Sequence, residues 1–437
     1  MGATGNLKKR LLKLVDLWSA VFHDHEESWP ARLFLCYQKD SLVCYHPAFP
    51  DREALVDHWF RARWYLPPLP GYLSRVAFFT SGDPTPPSED ERPAYICEPP
   101  QEAPHFRLCR GTLHRWWALL RSHHIVVWKK GLNASPWVVL WKLLGKHVAY
   151  VAIDDKGGRE YADYCELPWR VLSPRKRRAV NHSSRMRFDD HVAELKDLGL
   201  DRAYVFGNGP SLETAVDYDF SNGYSVMCNS VVNNPALLDH VKPHFVVAGD
   251  PVNHFGCSAY ADKYRQNLFR ALDERPSLRL VIPDFHGYVL LANYPQYEKQ
   301  IFIIPMKAKV VNFDLTREYR IPVFWSVLNA LMIPVACTLA NEIYTLGCDG
   351  MSRNRDNEDF WAHAKGVIDE RIDDAHRCHP TFDLHRKSHP EYVRVQLDLA
   401  QSVIRAENEH NKRFHAINHS HMALLDARHV DLEKIRA

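Results

Sequence analysis

Residues 204–212 read Tyr-Val-Phe-Gly-Asn-Gly-Pro-Ser-Leu, a short run of strand character entering a glycine turn that a hydroxyl residue then leaves into a helix. A strand-to-helix junction of this kind points free backbone N–H groups and the positive end of a helix dipole at one spot, which suits a phosphate or another anion. Gly207 and Gly209 are expected at positive φ, so that the backbone can approach a ligand, and Asn208 adds an amide that both donates and accepts. The same residues also fit an ordinary strand-to-helix turn, because the motif is neither a Walker A loop nor a full dinucleotide fingerprint. A second group with chemical potential is His376, His379, His385 and His389, close in sequence to Asp373, Asp374 and Asp383. Such residue types can hold a divalent metal, but their spacing matches no fixed zinc pattern, and no metal is expected. His410, His415, His419 and His421 read as surface and turn residues.

The elements that must position these groups alternate between strand and helix. Strands are expected over residues 203–206, 224–228, 245–248, 278–282, 301–304 and 342–346, with helices between them, notably over 323–339. Open parallel sheets hold ligands beyond the carboxyl ends of their strands. That rule singles out Gly207, Asn208, Gly209, Pro210 and Ser211, then Asn229 and Ser230, Asp250 with Pro251, and Gly347 to Asp349 and Gly350.

The first half repeats the alternation, with strands over 75–79, 125–128 and 148–153 and helices over 113–120 and 137–144. A Pro- and acid-rich loop over 82–104 is expected to be flexible. Residues 7–21 carry Leu11, Leu14, Val15 and Trp18 at helical spacing among lysines; this helix either lies on an anionic membrane surface or packs on its own domain. The basic stretch 172–187 reads as a solvated linker or as a surface for anionic lipid or an anionic acceptor, and the domain boundary is placed near residue 190. The expected fold class is therefore α/β, with Rossmann-like parallel sheets in two lobes, residues 1–190 and 191–437.

Composition agrees with a cored, globular chain: 437 residues, 46% hydrophobic and 12% aromatic. Lys plus Arg number 55 against 53 for Asp plus Glu, so a net charge of +2 gives no reason to expect nucleic acid. Ten cysteines without a C-x-x-C pair point to reduced thiols and a cytoplasmic protein. No secretory signal is visible, and no run reaches the roughly 18 to 20 apolar residues of a membrane span, so any membrane contact is expected to be peripheral.

Gly-Asn-Gly-Pro-Ser-Leu after the first strand of the second half, Cys228-Asn229 after the next and Asp250-Pro251 after the third form an ordered series. Together with Ser326 at the start of the long apolar helix and Asn-Glu-Ile-Tyr-Thr-Leu-Gly-Cys-Asp at 341–349, it resembles the bacterial sialyltransferases of glycosyltransferase family 42. Motility-associated glycosyltransferases and a pterin pyrophosphokinase group share the opening motif. The resemblance covers roughly residues 200–425 and implies a Rossmann-like domain that binds a CMP-activated acidic sugar and transfers it to a hydroxyl of a glycan or glycolipid. It implies a two-lobed arrangement, GT-B-like or a variant of GT-A, with the N-terminal lobe on the acceptor side. No cofactor is implied, the CMP-sugar being the donor substrate.

By the same resemblance, Asn208 and Asn229 lie by the donor phosphate and ribose, and Ser326 lies near the nucleotide or the sugar carboxylate. The family's catalytic histidine matches His389, with His385 next. Asp250 stands where those enzymes have Asn, and serves as a base, as an acceptor for a sugar hydroxyl or as a metal ligand. The family's phosphate-binding tyrosines are absent, which leaves the helix N-terminus with Arg353, Arg355, His363 or Lys365. The donor is Kdo or a sialic acid. The chemistry suits a histidine independently of the likeness: an alcohol proton must be removed, and an imidazole with a pKa of about 6.5 can take it. A pterin pyrophosphokinase using ATP and Mg²⁺, with Asp250 and Asp349 as the available carboxylates, and a non-catalytic nucleotide-binding module are the competing readings.

Overall fold

Runs such as Tyr224–Cys228 and Ile301–Ile304 are buried at every position, the pattern of interior parallel strands covered on both faces. A computed structural model describes residues 14, 41–69, 72–100, 102–103, 105–132, 135–153, 160–323, 326–350, 371–381 and 389–430. It contains two larger sheets in which every pairing is parallel. The first joins β1 (Ser41–His46), β2 (Leu73–Thr80), β3 (Phe106–Arg110), β4 (His124–Val127) and β5 (His147–Tyr150) in the order β3-β2-β1-β4-β5. The second joins β6 (Arg202–Phe206), β7 (Tyr224–Cys228), β8 (Phe245–Val247), β9 (Arg279–Pro283), β10 (Ile301–Ile304), β13 (Glu342–Leu346) and β14 (Arg413–Ala416). Its order is β10-β9-β8-β7-β6-β13-β14; β11 (Met306–Ala308) and β12 (Ile321–Pro322) pair separately. The α/β, two-lobed, Rossmann-like expectation is met.

Helix starts follow capping chemistry. Asp51 accepts from the Ala54 N–H at the head of α1 (Arg52–Tyr65). Ser135 precedes Pro136 at the head of α3 (Pro136–Leu143), which follows α2 (Thr112–Arg121). Ser173 precedes Pro174 at the head of α5 (Pro174–Lys196), which follows α4 (Glu160–Val171). A side-chain oxygen at the cap satisfies a free N–H, and proline is tolerated in the first turn because its missing N–H had no helical partner. The basic stretch expected as a linker is thus the opening of α5, a 23-residue helix that runs through residue 190. Its Phe188, Val192 and Leu195 pack with Phe245 and Phe302 in the core of the second lobe.

One hydrophobic core spans both lobes, from Val43 and Phe78 to Leu280 and Ile301. The seam is built on α1. Trp64 Nε1 donates to the Phe255 carbonyl at 2.9 Å, and the Arg265 guanidinium lies 3.9 Å from the centre of the Trp64 ring. Asn293 Nδ2 donates to the Trp64 carbonyl at 3.0 Å. The loop expected to be flexible is fastened into this seam: Cys97 N donates to Cys257 O at 2.8 Å, Ala259 N donates to Tyr95 O at 3.0 Å, and Ile96 and Cys97 are buried. Its proline and acid content reads as flexible, but backbone pairing with a distant segment overrides that. Residues 7–21, apart from Leu14, lie outside the described residues. Among the described residues no helix is long and apolar enough to cross a membrane.

A shared core makes the two lobes one cooperative unit. Thermal unfolding followed by far- and near-ultraviolet circular dichroism should give a single coincident transition, and Trp64→Ala should lower stability by about 3 to 5 kcal/mol without splitting it. Two separated transitions in the wild-type chain would show that the lobes unfold independently.

Candidate functional site

The order of the seven-stranded sheet reverses between β6 and β13, and there the connections leave in opposite directions and open a crevice. Residues 207–211 and 347–350 therefore face each other at its carboxyl edge. Gly207 N donates to Leu346 O and Gly209 N to Gly347 O, each at 2.8 Å. Ser211 N and Ser211 Oγ donate to Asp349 Oδ2 at 3.2 and 3.0 Å. Asn418, just beyond β14, donates through Nδ2 to Asp349 Oδ1 at 3.3 Å and accepts through Oδ1 from Gly347 N at 3.2 Å. Ser420 Oγ donates to the carbonyls of Cys348 and Asp349.

Two expectations change here. Gly207 and Gly209 are absent from the positive-φ residues, whereas Gly347 and Gly350 adopt φ of 72° and 73°. Glycine is needed at 207 and 209 because a Cβ would collide with the Gly347 carbonyl oxygen, and at 209 also with the Asp349 carboxylate. The turn then enters a 3₁₀ helix, Pro210–Asp217, in place of an α-helix. The N–H groups of Gly207, Gly209 and Ser211 are bonded within the protein, with the Asp349 carboxylate as the anion at Ser211. The turn splices two strands and is not an open phosphate cradle.

The neighbouring strand ends supply amides. Asn208 Nδ2 donates to Ser230 Oγ at 3.3 Å, and Cys228 Sγ lies 3.7 Å from Asn208 Oδ1. Asn229 is buried in the left-handed region at φ 50°, and its side-chain carbonyl has no hydrogen-bond partner. Asp250, after β8, closes its own loop: Oδ1 accepts from Val252 N and Asn253 N at 2.8 Å each, and Oδ2 accepts from Asn253 Nδ2 at 3.3 Å. That commitment argues for a loop-holding role over a base. Ser326 lies immediately before the helical turns that lead to β13; beyond α6 (Pro235–Val241), α7 (Ala259–Glu274) and α8 (Asp284–Asn293), Leu328–Met332 is a π-helix that continues into α9 (Ile333–Leu339). Helix interruptions of this type recur at functional sites. After α10 (Ile372–Cys378), His389 opens α11 (His389–His410), which returns the chain to β14, while His385, Arg353, Arg355, His363 and Lys365 lie outside the described residues.

Asn418, Ser420 and His254 escaped the sequence reading. Asn418 and Ser420 follow a strand end as Asn-His-Ser-His, and the over-supply of polar residues at that carboxyl edge was the available signal. His379 belongs elsewhere: it is buried in the lobe seam, with Tyr65 Oη 3.4 Å from its Nε2. Among the described residues no group of three or more His, Cys, Asp or Glu side chains is placed to hold a metal. The nine described cysteines are free.

A large cleft of about 740 Å³ lies at the opposite, amino edge of the sheet, lined by Lys196, Asp314, Cys337, Ala340 and Lys412 among others. The carboxyl ends of α5, α9 and α11 converge there, so their dipoles repel an anion. Lys412 Nζ is already committed to the carbonyls of Cys337 and Ala340, at 2.6 and 3.0 Å. The polar crevice at the other edge is the better candidate. Comparison with protein families, curated proteins and solved structures finds no match to this chain.

His254 ties the Asp250 loop together by accepting from Asp250 N through Nδ1 at 3.2 Å. Burial lowers its pKa to about 4, only partly opposed by Asp250. The folded state therefore favours neutral imidazole, so this stability is present above about pH 6.5 and is lost as pH falls toward 4. His254→Asn keeps an acceptor that does not titrate. Urea denaturation at pH 7 and 4.5 should show a difference in stability smaller by about 2 to 3 kcal/mol in this variant; an unchanged difference would assign the acid sensitivity elsewhere.

Proposed function

We propose that this protein is a glycosyltransferase that moves an acidic sugar, Kdo or a sialic-type nonulosonic acid, from its CMP-activated donor to a hydroxyl of a bacterial surface glycan or glycolipid. The observation that carries the reading is the buried, unpartnered side-chain carbonyl of Asn229 beside Asn208, at the carboxyl edge of a parallel sheet. Buried acceptors are nearly always satisfied by a donor, and a ribose hydroxyl or a cytosine amino group supplies one. The series of Asn, Ser and Asp at successive strand ends, in the order seen in the family 42 sialyltransferases, supports the same assignment. Because the N–H groups of Gly207, Gly209 and Ser211 are occupied, the phosphate charge falls to side chains, for which Arg353, Arg355, His363 and Lys365 follow Asp349 in the chain. The second lobe then corresponds to the nucleotide lobe of a two-lobed transferase, GT-B-like or a GT-A variant, and the first to its acceptor side.

In this reading His389 takes the proton of the attacking hydroxyl as the anomeric carbon leaves the CMP phosphate. Asp349 and Asp250 hold loops through their carboxylate oxygens. That use weighs against a pyrophosphokinase needing both for Mg²⁺.

Ligand binding to the folded chain raises its melting temperature, so CMP, CMP-Kdo, CMP-sialic acid and ATP with Mg²⁺ can be compared directly. Stabilisation by CMP and a CMP-sugar is expected. Stabilisation by ATP with Mg²⁺ alone would favour the pyrophosphokinase, and none at all a non-catalytic module. Asn229→Gly keeps the left-handed backbone accessible while removing the amide, and should weaken CMP binding about tenfold, or about 1.4 kcal/mol, by calorimetry. Unaltered affinity would remove Asn229 from the nucleotide site. His389→Ala should abolish transfer and leave CMP affinity within about twofold of wild type, since a base acts on the acceptor and not on nucleotide binding; normal turnover would exclude it as the base.

A further inference from the structure

The helices α2 and α3 are apolar on the wrong side. Strands alternate their side chains between the two faces of the first sheet, and Cys44, Ala77, Phe79, Ile125 and Val127 pack under these helices against Leu119, Val138 and Trp141. The opposite face, with Val43, Tyr45, Val76 and Phe78, belongs to the core shared with the second lobe. The outer surfaces of α2 and α3 therefore face away from the second lobe and should be polar. Instead Leu113, Trp117 and Leu120 on α2, spaced i, i+4 and i+7, are 61–86% exposed, and Trp137, Leu140 and Leu143 on α3 are 41–50% exposed. Trp116 and Trp137 approach to 4.8 Å between ring centres, so the two exposed stripes adjoin as one patch. Contiguous apolar surface of this kind marks an interaction site.

Charge identifies the occupant. From residue 103 to residue 153 the chain has no Asp or Glu, yet it has eight cations: Arg107, Arg110, Arg115, Arg121, Lys129, Lys130, Lys142 and Lys146. The whole chain carries only +2. Arg110, two residues before α2, Arg121, its last residue, and Lys129, between β4 and α3, are exposed, and the Arg121 guanidinium lies 5.7 Å from the Trp117 ring centre, close to the aromatic side chain that would enter an interface. A second copy of the chain would bring the same positive field and be repelled. Leucines and tryptophans amid arginines and lysines are instead the composition of helices that lie in the headgroup region of an anionic bilayer.

We propose that the α2–α3 face of the first lobe is a peripheral docking surface for an anionic lipid bilayer, with the leucine and tryptophan side chains entering the headgroup–acyl boundary and the surrounding basic residues meeting lipid phosphates. This assignment does not rest on the CMP-sugar reading and survives its failure.

The full chain is sedimented with phosphatidylcholine vesicles, with and without phosphatidylglycerol. The bound fraction should be at least about tenfold greater with the anionic lipid and should fall with added salt, since each basic residue near an anionic surface contributes about 1 kcal/mol. Tryptophan emission should shift to the blue on binding. Trp117→Glu with Leu140→Glu should abolish binding, and Arg110→Glu with Arg121→Glu should remove the preference for phosphatidylglycerol. Val216→Glu, at an exposed apolar residue of the second lobe, should bind as wild type. Both pairs alter exposed side chains, so their melting temperatures should stay close to wild type, which separates lost docking from lost folding. No sedimentation with either vesicle, full binding by the Trp117/Leu140 pair, or a dimer in light scattering that this pair converts to monomer without any vesicle binding would each overturn the proposal.

Discussion

The carboxylate of Asp349 holds the second lobe's working edge together. It sits where the sheet order reverses, and it gathers the N–H and hydroxyl of Ser211 from one half and the amide of Asn418 from beyond β14. Without it, backbone and side-chain donors at the crevice would lose their acceptor, at a typical cost of about 1–3 kcal/mol for each buried group left unpaired. The close approach that makes these bonds possible is why residues 207 and 209 must lack a Cβ. The same edge carries Asn208, whose amide donates to Ser230, and Asn229, whose buried side-chain carbonyl has no partner among the described residues. A site whose first contacts are braced by a second layer of hydrogen bonds is pre-organised for binding.

The seam between lobes obeys a different constraint, the cost of buried charge. Arg61 is fully buried and is neutralised by Asp57, with Nε to Oδ2 at 2.7 Å, while its guanidinium also donates to the Cys378 carbonyl. Burial alone would raise the Asp57 carboxyl, but Arg61 and His58 hold it below the ordinary range. Arg265, equally buried, donates to the Gly256 carbonyl at 2.6 Å and lies over Trp64. A buried charge is tolerated only with such partners, and those partners come from both lobes. The loop after β8, which carries Asp250 and His254, is thereby anchored to α1, so the crevice and the lobe interface form one structure.

Electrostatic character is segregated in this chain. A near-neutral total conceals a first lobe with a cationic, apolar outer face and a second lobe whose crevice is lined by amides and carboxylates.

Much of the second lobe could be read directly, because strands of a doubly covered parallel sheet are continuous apolar runs ended by Gly, Asn or Asp; β6, β7 and β13 show this, as do the polar residues beyond them. The helices α2 and α3 and the strands β2, β4 and β5 were legible for similar reasons. Helix α1 was not, since ten of its fourteen residues are buried, Asp57, His58 and Arg61 included, and a helix covered on nearly all sides loses the polar stripe that periodicity detects. The Pro- and acid-rich loop looked free because its backbone partners lie far along the chain. The glycines at 207 and 209 were recognisable as obligatory, but residue type does not distinguish a positive φ from a crowded neighbour. Only the folded chain, by pairing β6 with β13, set Asp349 against Ser211 and decided that the turn binds a carboxylate of its own, because hydrogen bonds between segments more than a hundred residues apart depend on strand order and not on local sequence.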